Sequence, residues 1–84
     1  MIRIPIEDTL DLHAFLPRDI PSVVEEYIGE AHRAGLRRVR LVHGRGRGVQ
    51  RGIVQKTLDG HQHVIEFFDD PSSHLGATIA ILGD

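Results

Sequence analysis

Two short motifs bring acid–base and phosphate-binding side chains to the ends of two predicted strands. The first, LDLH at residues 10–13, contains Asp11 and His13. The second, HGRGRG at residues 43–48, begins with His43. Cleavage of a phosphodiester bond needs a base for the nucleophile, an acid for the leaving oxygen and positive charge at the phosphoryl oxygens. Carboxylate, imidazole and guanidinium groups supply these functions, so the motifs are candidates for that chemistry.

The candidate catalytic residues are Asp11, His13 and His43. One histidine would act as the base and the other as the acid, while Asp11 orients a histidine or holds a divalent ion. On RNA, two histidines work through the 2′-hydroxyl without a metal. On DNA, water must attack, so Mg²⁺ or Mn²⁺ becomes useful. The structural alternatives are a carboxylate that caps a turn and histidines that only end strands.

The glycine-rich turn of the second motif is the candidate phosphate-binding site. Glycine lets the backbone approach a ligand closely, and the helix predicted after the turn presents unpaired N–H groups. The residues expected to bind the phosphates of a nucleic acid are Gly44, Arg45, Gly46, Arg47, Gly48 and Arg51. The turn matches neither the dinucleotide fingerprint nor the Walker loop. An ordinary strand-to-helix turn is the alternative interpretation.

Positive charge is concentrated in one part of a chain with a formal net charge of -2. Between Arg37 and Lys56 the sequence has seven basic residues and no acid, while all twelve acids lie elsewhere. A basic patch on an otherwise acidic protein favours a polyanion, and we therefore expect DNA or RNA as the partner. A solvated charged surface, or one that binds an acidic protein, is the alternative.

Length and composition restrict the classes of protein. A chain of 84 residues is expected to form one domain, here residues 1–84. It has no cysteine, and therefore no disulfide or thiolate metal site. The sequence contains neither a signal peptide nor an apolar run of membrane-spanning length, so we expect a cytoplasmic protein without a membrane partner. It leaves the oligomeric state open, with a monomer as the simplest case.

Hydrophobic periodicity predicts six elements in the order βαβαββ. We expect one mixed four-stranded sheet with two helices packed on it, a two-layer α/β sandwich in which the first two strands are parallel and the last two antiparallel. Both motifs would then lie at the carboxyl edge of the sheet, where α/β proteins bind ligands. Residues 1–8 are expected to form an N-terminal arm or edge strand. The predicted strands cover residues 9–13, 39–42, 63–68 and 77–82, and the helices run from 20 to about 35 and from 49 to about 60.

Four aromatic residues and a second group of histidines indicate a function less strongly than the two motifs do. Tyr27, Phe67 and Phe68 fit a core. Phe15 follows the first motif, where it could stack on a nucleic-acid base, although core packing is favoured. The second histidine group is a candidate metal site, but its spacing matches no established site and solvated histidines are favoured. It consists of His61, His63 and His74.

Three stretches together resemble the Smr (small MutS-related) domain family over about residues 10–82. They are LDLHAF, VRLVHGRGRGVQRGIV and GATIAIL. The family's signatures are Leu-Asp-x-His-Gly, with Ala14 here in the glycine position, and His-Gly-x-Gly, which is complete. The resemblance implies a stand-alone, single-domain member with a fold like the C-terminal domain of the third translation initiation factor.

The resemblance also implies a function in nucleic-acid binding, with a DNA-nicking or RNA-cleaving endonuclease (a hydrolase) among the family's activities. By motif, Asp11 and His13 correspond to catalytic residues, and residues 43–46 to catalytic or nucleic-acid-binding ones. Two alternatives stay open: a nucleic-acid-binding module without turnover, and a protein-interaction domain.

Overall fold

The protein folds as a four-stranded mixed sheet with two helices, described by a computed structural model for residues 6–44 and 48–83. The strand order is β1-β2-β4-β3, in which β1 and β2 are parallel and the other two pairs are antiparallel. The predicted α/β fold and its βαβαββ order are confirmed. The elements are β1 (Thr9–Asp11), α1 (Ile20–Arg33), β2 (Arg38–Val42), α2 (Val49–Asp59), β3 (Val64–Asp69) and β4 (Ala77–Leu82), with a 3₁₀ turn at Pro17–Asp19.

The core forms where the helical and strand periodicities bring apolar side chains together. Alternate positions of β2 and β4 face one side of the sheet, and the apolar stripes of α1 and α2 pack against them. Leu12, in the first motif, is fully buried in this cluster. Burying a leucine contributes about 2 kcal/mol relative to its exposure, which holds the motif against the core. The buried cluster comprises Leu12, Ile20, Val24, Tyr27, Ile28, Ala31, Val39, Leu41, Val54, Leu58, Ala80 and Leu82.

Helix α1 ends in a Schellman motif. Gly35 has φ +84°, a left-handed conformation that favours glycine. Its N–H donates to the His32 carbonyl, and the Leu36 N–H donates to the Ala31 carbonyl. The predicted stop at Gly35 therefore has a clear physical cause. At the other end Asp19 occupies the N-cap position, but its side chain makes no capping hydrogen bond, because the 3₁₀ turn runs directly into α1.

Several predicted boundaries were wrong by one or two residues. Strand β1 ends at Asp11 and not at residue 13, because the chain then turns and the Phe15 N–H donates to the Leu12 carbonyl. Strand β2 begins one residue earlier than predicted, and β3 is displaced by one residue. Of the expected N-terminal arm, residues 1–5 lie outside the described residues. Residues 6–8 precede β1, and the Glu7 carbonyl accepts a hydrogen bond from Tyr27.

The two phenylalanines of interest are less buried than the pattern predicted. Phe68, expected in the core, is 40% exposed on the edge strand β3. Phe15, for which core packing was favoured, is 39% exposed. Tyr27, in contrast, is buried as expected. No helix in the described part of the chain is long and apolar enough to cross a membrane.

Candidate active site

Asp11 and His13 form an exposed pair, joined by a side-chain hydrogen bond, at the end of β1. The Asp11 Oδ1 atom lies 2.6 Å from Nδ1 of His13 and also accepts the His13 backbone N–H at 3.0 Å. The side chains of His13 and Asp11 are 72% and 56% exposed. The turn after β1 thus brings together two side chains that a continuous strand would have held apart.

The Asp11 carboxylate selects one tautomer of His13. An ionised carboxylate only accepts hydrogen bonds, so Nδ1 must carry the proton in this contact. The Nε2 atom of a neutral His13 is then an acceptor that can take up a proton. The hydrogen bonds from the backbone and ring of His13 lower the pKa of Asp11 below its ordinary 3.8, which keeps it ionised. The pair is therefore organised for general base catalysis.

The parallel pairing of β1 and β2 brings the two motifs to the same edge of the sheet. Asp11 lies opposite Val42 in the register, and the Leu12 N–H donates a 2.7 Å hydrogen bond to the Val42 carbonyl. His43 is the next residue after β2. The convergence of the two motifs expected at this edge is thus present in the backbone.

His43 differs from His13 in its surroundings, because its residue is only 2% exposed. Its Nδ1 lies 2.9 Å from the carbonyl oxygen of Gly44, so Nδ1 donates to that oxygen. Its Nε2 lies 2.9 Å from the Thr78 hydroxyl. Both ring nitrogens are therefore engaged within the protein. The sequence predicted a catalytic histidine at each motif, but only the His13 ring is exposed to a substrate.

The contact with Thr78 is the start of a hydrogen-bond network that reaches α2 and β3. Gln55 donates through its amide nitrogen to the Thr78 hydroxyl at 3.1 Å and to Asp69 at 2.9 Å. Asp69 also accepts two hydrogen bonds of 2.7 Å from Arg51. Because Thr78 accepts from Gln55, its own hydroxyl proton can be donated to Nε2 of His43.

Sequence reasoning missed three members of this network: Gln55, Asp69 and Thr78. Thr78 had one signal, since it is the single hydroxyl in the apolar run of β4. A buried hydroxyl requires a hydrogen-bond partner. Gln55 and Asp69 had no comparable signal, because polar residues of a helix and a strand end are ordinarily solvated.

The glycines that flank the basic turn adopt left-handed backbone conformations. Gly44 has φ +83° and Gly48, the N-cap of α2, has φ +77°. Apart from the adjoining residues of the chain, no atom of the described residues lies within 4 Å of a Cβ built at either glycine, so backbone conformation favours glycine here. The sequence predicts that Gly44 binds phosphate. Its amide instead donates to the Gly76 carbonyl at 3.0 Å and is therefore not available to a phosphate. Three predicted phosphate-binding residues, Arg45, Gly46 and Arg47, lie outside the described residues.

Comparison with known proteins shows the family to which this fold belongs. The model of the Smr domain matches residues 10–82. This chain belongs to the Smr domain family.

The curated relatives of this Smr domain are much longer proteins. It is 39% identical over 62 residues to Endonuclease MutS2 of Pelotomaculum thermopropionicum, covering 74% of this chain and 8% of that protein. It is 32% identical over 81 residues to Endonuclease MutS2 of Caldicellulosiruptor bescii, covering 94% of this chain and 10% of that protein. This Smr domain therefore corresponds to a tenth or less of the length of these relatives.

Two solved structures have the same fold as this Smr domain. The Smr domain of Thermus thermophilus MutS2 superposes with a TM-score of 0.87 at 28% identity, covering 93% of this chain and 100% of that one. YdaL, a stand-alone small MutS-related protein from Escherichia coli, has a TM-score of 0.83 at 25% identity, covering 92% of this chain and 65% of that one.

The basic segment of this Smr domain is partly neutralised by acids from outside it. Arg51, expected to bind phosphate, pairs with Asp69, and Arg40 pairs with Asp70 at 2.6 Å. The Arg40 guanidinium and hydrogen bonds from Ser72 lower the pKa of Asp70 to about 2, so it is ionised at neutral pH. The uninterrupted run of positive charge in the sequence is therefore not matched by an equally positive surface.

The Mg²⁺ or Mn²⁺ ion that would be useful for cleavage of DNA finds few ligands among the described residues of this site. Among the described residues no group of three or more histidines, cysteines or acids is arranged to hold a metal. Asp11 is the one carboxylate of the first motif, and one of its oxygens is already bonded to His13. These described residues therefore do not fit an ion that the protein alone would hold.

The second histidine group has a different membership from the predicted one. The ring centroids of His32 and His63 lie 3.8 Å apart in a parallel stack, and the His61 ring lies 5.5 Å from His63. His74, predicted to join them, instead lies in the loop between β3 and β4 with φ +51°. Stacked rings direct their nitrogens sideways and not towards a shared point, so this group is not a metal site.

Proposed function

We propose that this Smr domain is a phosphodiester-cleaving endonuclease that acts on nucleic acid, with RNA as the substrate that the geometry favours. One observation carries the proposal: the exposed His13 ring, which Asp11 holds through Nδ1 with Nε2 directed away from the carboxylate. A single oriented imidazole is sufficient to deprotonate a hydroxyl that is already part of the substrate. The 2′-hydroxyl of RNA is such a group, whereas DNA needs an added water.

The reaction on RNA follows from this arrangement. Nε2 of His13 takes the proton of the 2′-hydroxyl, and O2′ attacks the adjacent phosphorus. The bond from phosphorus to O5′ breaks, and the leaving oxygen takes a proton from the water that reaches this exposed site. The hydroxide left behind takes the proton from His13, which restores the water and the neutral base. The products are a 2′,3′-cyclic phosphate and a 5′-hydroxyl. Asp11 stays ionised throughout and stabilises the imidazolium that forms.

Phosphate binding is assigned to the turn and the start of α2. Helix α2 begins at Val49 after the N-cap Gly48, and no side chain in the described ranges caps it, which favours an anion there. The sequence supplies Arg45 and Arg47 in the same turn. We assign His43 a positioning role, since its hydrogen bond to the Gly44 carbonyl holds the first residue of the turn.

The test compares the wild type with His13→Asn on a structured RNA and on supercoiled plasmid DNA. Each substrate is incubated with Mg²⁺, with Mn²⁺ and with a chelator. We expect the wild type to cleave RNA in all three conditions and to leave cyclic phosphate ends. His13→Asn should cleave at least ~100-fold more slowly, because it lacks the base. A 2′-deoxy substitution at the cleaved nucleotide should block cleavage there.

Asp59→Asn and circular dichroism serve as controls for this experiment. Asp59 is an exposed residue at the C-terminal end of α2, away from the turn. If the protein cleaves the plasmid but not the RNA, and does so only with a metal ion, the substrate is DNA and the proposal of RNA is wrong. Equal cleavage by the wild type and His13→Asn would remove His13 from the mechanism.

A nucleic-acid-binding module without turnover is the second candidate. The burial of His43 favours it, because one of the two predicted acid–base groups is engaged within the protein. In that case the wild type and His13→Asn would bind RNA equally and neither would cut it. Electrophoretic mobility shifts measured on the same samples separate the two functions.

A further inference from the structure

Three apolar side chains are exposed beside the candidate active site. Phe15 and Leu16 lie in the segment between β1 and the 3₁₀ turn, and Val49 is the first residue of α2. Each exposes between 39% and 56% of its surface. None of the three belongs to the core cluster or to the partly buried residues packed against it. We call these three residues the apolar platform.

Hydrogen bonds join the platform to both parts of the site. The Phe15 N–H donates to the Leu12 carbonyl at 3.0 Å, which closes the turn that also contains His13. The Gln50 side chain donates to the Phe15 carbonyl at 3.1 Å and ties the same turn to the first turn of α2. The platform therefore lies between the Asp11–His13 pair and the helix terminus assigned to phosphate.

The position of the platform determines what it would bind. A nucleic-acid strand whose phosphate lies at the start of α2 has its bases within a few ångströms of that phosphate. An exposed aromatic ring stacks on a base at about 1–3 kcal/mol per base, irrespective of the base's identity. In a duplex both faces of a base are already stacked, so the platform suits unpaired nucleotides.

We propose that Phe15 of the apolar platform stacks on an unpaired base next to the cleaved phosphate. The preferred substrate is then a single-stranded or looped segment of RNA and not a continuous duplex. This inference rests on the proposed nuclease function for its substrate, but its test uses binding and does not need cleavage.

Phe68 supplies a matched control for Phe15. It is the same residue type and almost equally exposed, at 40% against 39%, but lies on β3, at the opposite edge of the sheet from β1. Binding of Phe15→Ala and Phe68→Ala is measured by fluorescence anisotropy with a labelled single-stranded RNA. We expect Phe15→Ala to weaken binding roughly 5- to 100-fold, and Phe68→Ala to change it less than about 2-fold.

An abasic RNA identifies the group that is recognised. One nucleotide at a time is replaced by an abasic residue, which removes the base and keeps the phosphates. When the base that stacks on Phe15 is removed, the wild type should bind the abasic strand as weakly as Phe15→Ala binds the intact strand. Phe15→Ala should bind the abasic and intact strands equally. A blunt duplex of the same sequence should bind the wild type and Phe15→Ala equally.

Tryptophan substitutions give a direct optical signal. The chain contains no tryptophan, so Phe15→Trp and Phe68→Trp each carry one indole. Stacking on a base should quench the fluorescence of Phe15→Trp on RNA binding and leave that of Phe68→Trp unchanged.

The outcomes separate this inference from the proposed function. Equal binding by Phe15→Ala and Phe68→Ala, or an equal loss on abasic and intact strands, would overturn the stacking inference even if RNA is cleaved. Loss of binding in Phe15→Ala together with no cleavage by the wild type would support stacking and overturn the nuclease proposal. No binding of single-stranded RNA by the wild type would overturn both.

Discussion

The Thr78 hydroxyl lies 2.9 Å from Nε2 of His43 and joins the start of β4 to the residue that follows β2. Thr78 is fully buried, and its second partner is Gln55 of α2. The motif histidine is thus fixed between the sheet and a helix, and its other nitrogen holds the Gly44 carbonyl. This arrangement supports a positioning role for His43 and links the position of the Gly44 carbonyl to β4.

Removal of the Thr78 hydroxyl should destabilise the protein. Thr78→Val keeps the volume of the side chain but leaves Nε2 of His43 and one Gln55 N–H without their buried partner. We expect a loss of about 1–2 kcal/mol in the free energy of unfolding, measured by urea denaturation. Thr57→Val is the control, since the Thr57 hydroxyl donates to the Ile53 carbonyl of its own helix and to no other element in the described part of the chain. An equal effect of both variants would assign the loss to the change of residue type and not to His43.

The charge of Asp11 should be required for cleavage of RNA. In Asp11→Asn the amide oxygen can still accept a hydrogen bond from Nδ1–H of His13, but the neutral side chain no longer stabilises the imidazolium by its charge. We expect the single-turnover rate to fall roughly 10²- to 10⁴-fold. Because the two residues act as a unit, the double variant with His13→Asn should be about as slow as the slower single variant. Multiplication of the two effects would show that they act independently.

Neutralisation of Asp69 should strengthen the binding of nucleic acid. Asp69 accepts two hydrogen bonds from Arg51, which lower the pKa of the carboxyl and keep the pair charged. In Asp69→Asn, Arg51 is released towards the phosphates that the turn was predicted to bind. The plot of log affinity against log salt concentration should become steeper by about 0.7–0.9, the change for one added phosphate contact.

Asp59→Asn is the matched control for this prediction. It makes the same change in net charge, and no arginine pairs with Asp59 in the described part of the chain. An unchanged slope in Asp69→Asn would indicate either that Arg51 binds phosphate already in the wild type or that it does not reach the strand. Arg51→Gln separates these two cases, since only in the first does it reduce the slope.

The histidine stack should make stability depend on pH. Partial burial lowers the pKa of His63 below 6.5, and the positive charges of His32, His61 and Arg33 lower it further. Since the unfolded state binds the proton more readily, this contribution to stability is present above about pH 6.5 and is lost as the pH falls through the lowered value. The urea concentration at the unfolding midpoint should fall when the pH is lowered from about 7.5 to about 5. It should fall less in His63→Phe.

His74→Asn is the control for the pH experiment. His74 is exposed, lies outside the stack and has a positive φ that asparagine tolerates. This variant should keep the pH dependence of the wild type. An unchanged dependence in His63→Phe would mean that other groups control the acid limb of stability.

Local patterns in the sequence were sufficient for the fold and for the first motif. Helical spacing in α1, alternation in β2 and β4, and the glycine at residue 35 each depend on residues close together in the chain. They are therefore readable without the tertiary structure. The Asp11–His13 pair is also local, because only Leu12 separates its members. Even there, the contact arises from a turn that the strand pattern did not predict.

Tertiary packing decided which of the two motif histidines faces solvent. His43 is buried, and Thr78 of β4, which is distant in the sequence, bonds to its ring and accepts a hydrogen bond from Gln55 of α2. Tertiary contacts also reduced the net charge of the basic segment. Asp69 and Asp70 lie outside the segment in the sequence, yet they pair with two of its arginines. Residue types and spacing determined the chemical groups that this protein possesses. Only the fold determined which groups neutralise one another and which remain exposed, because those contacts join elements that the sequence keeps apart.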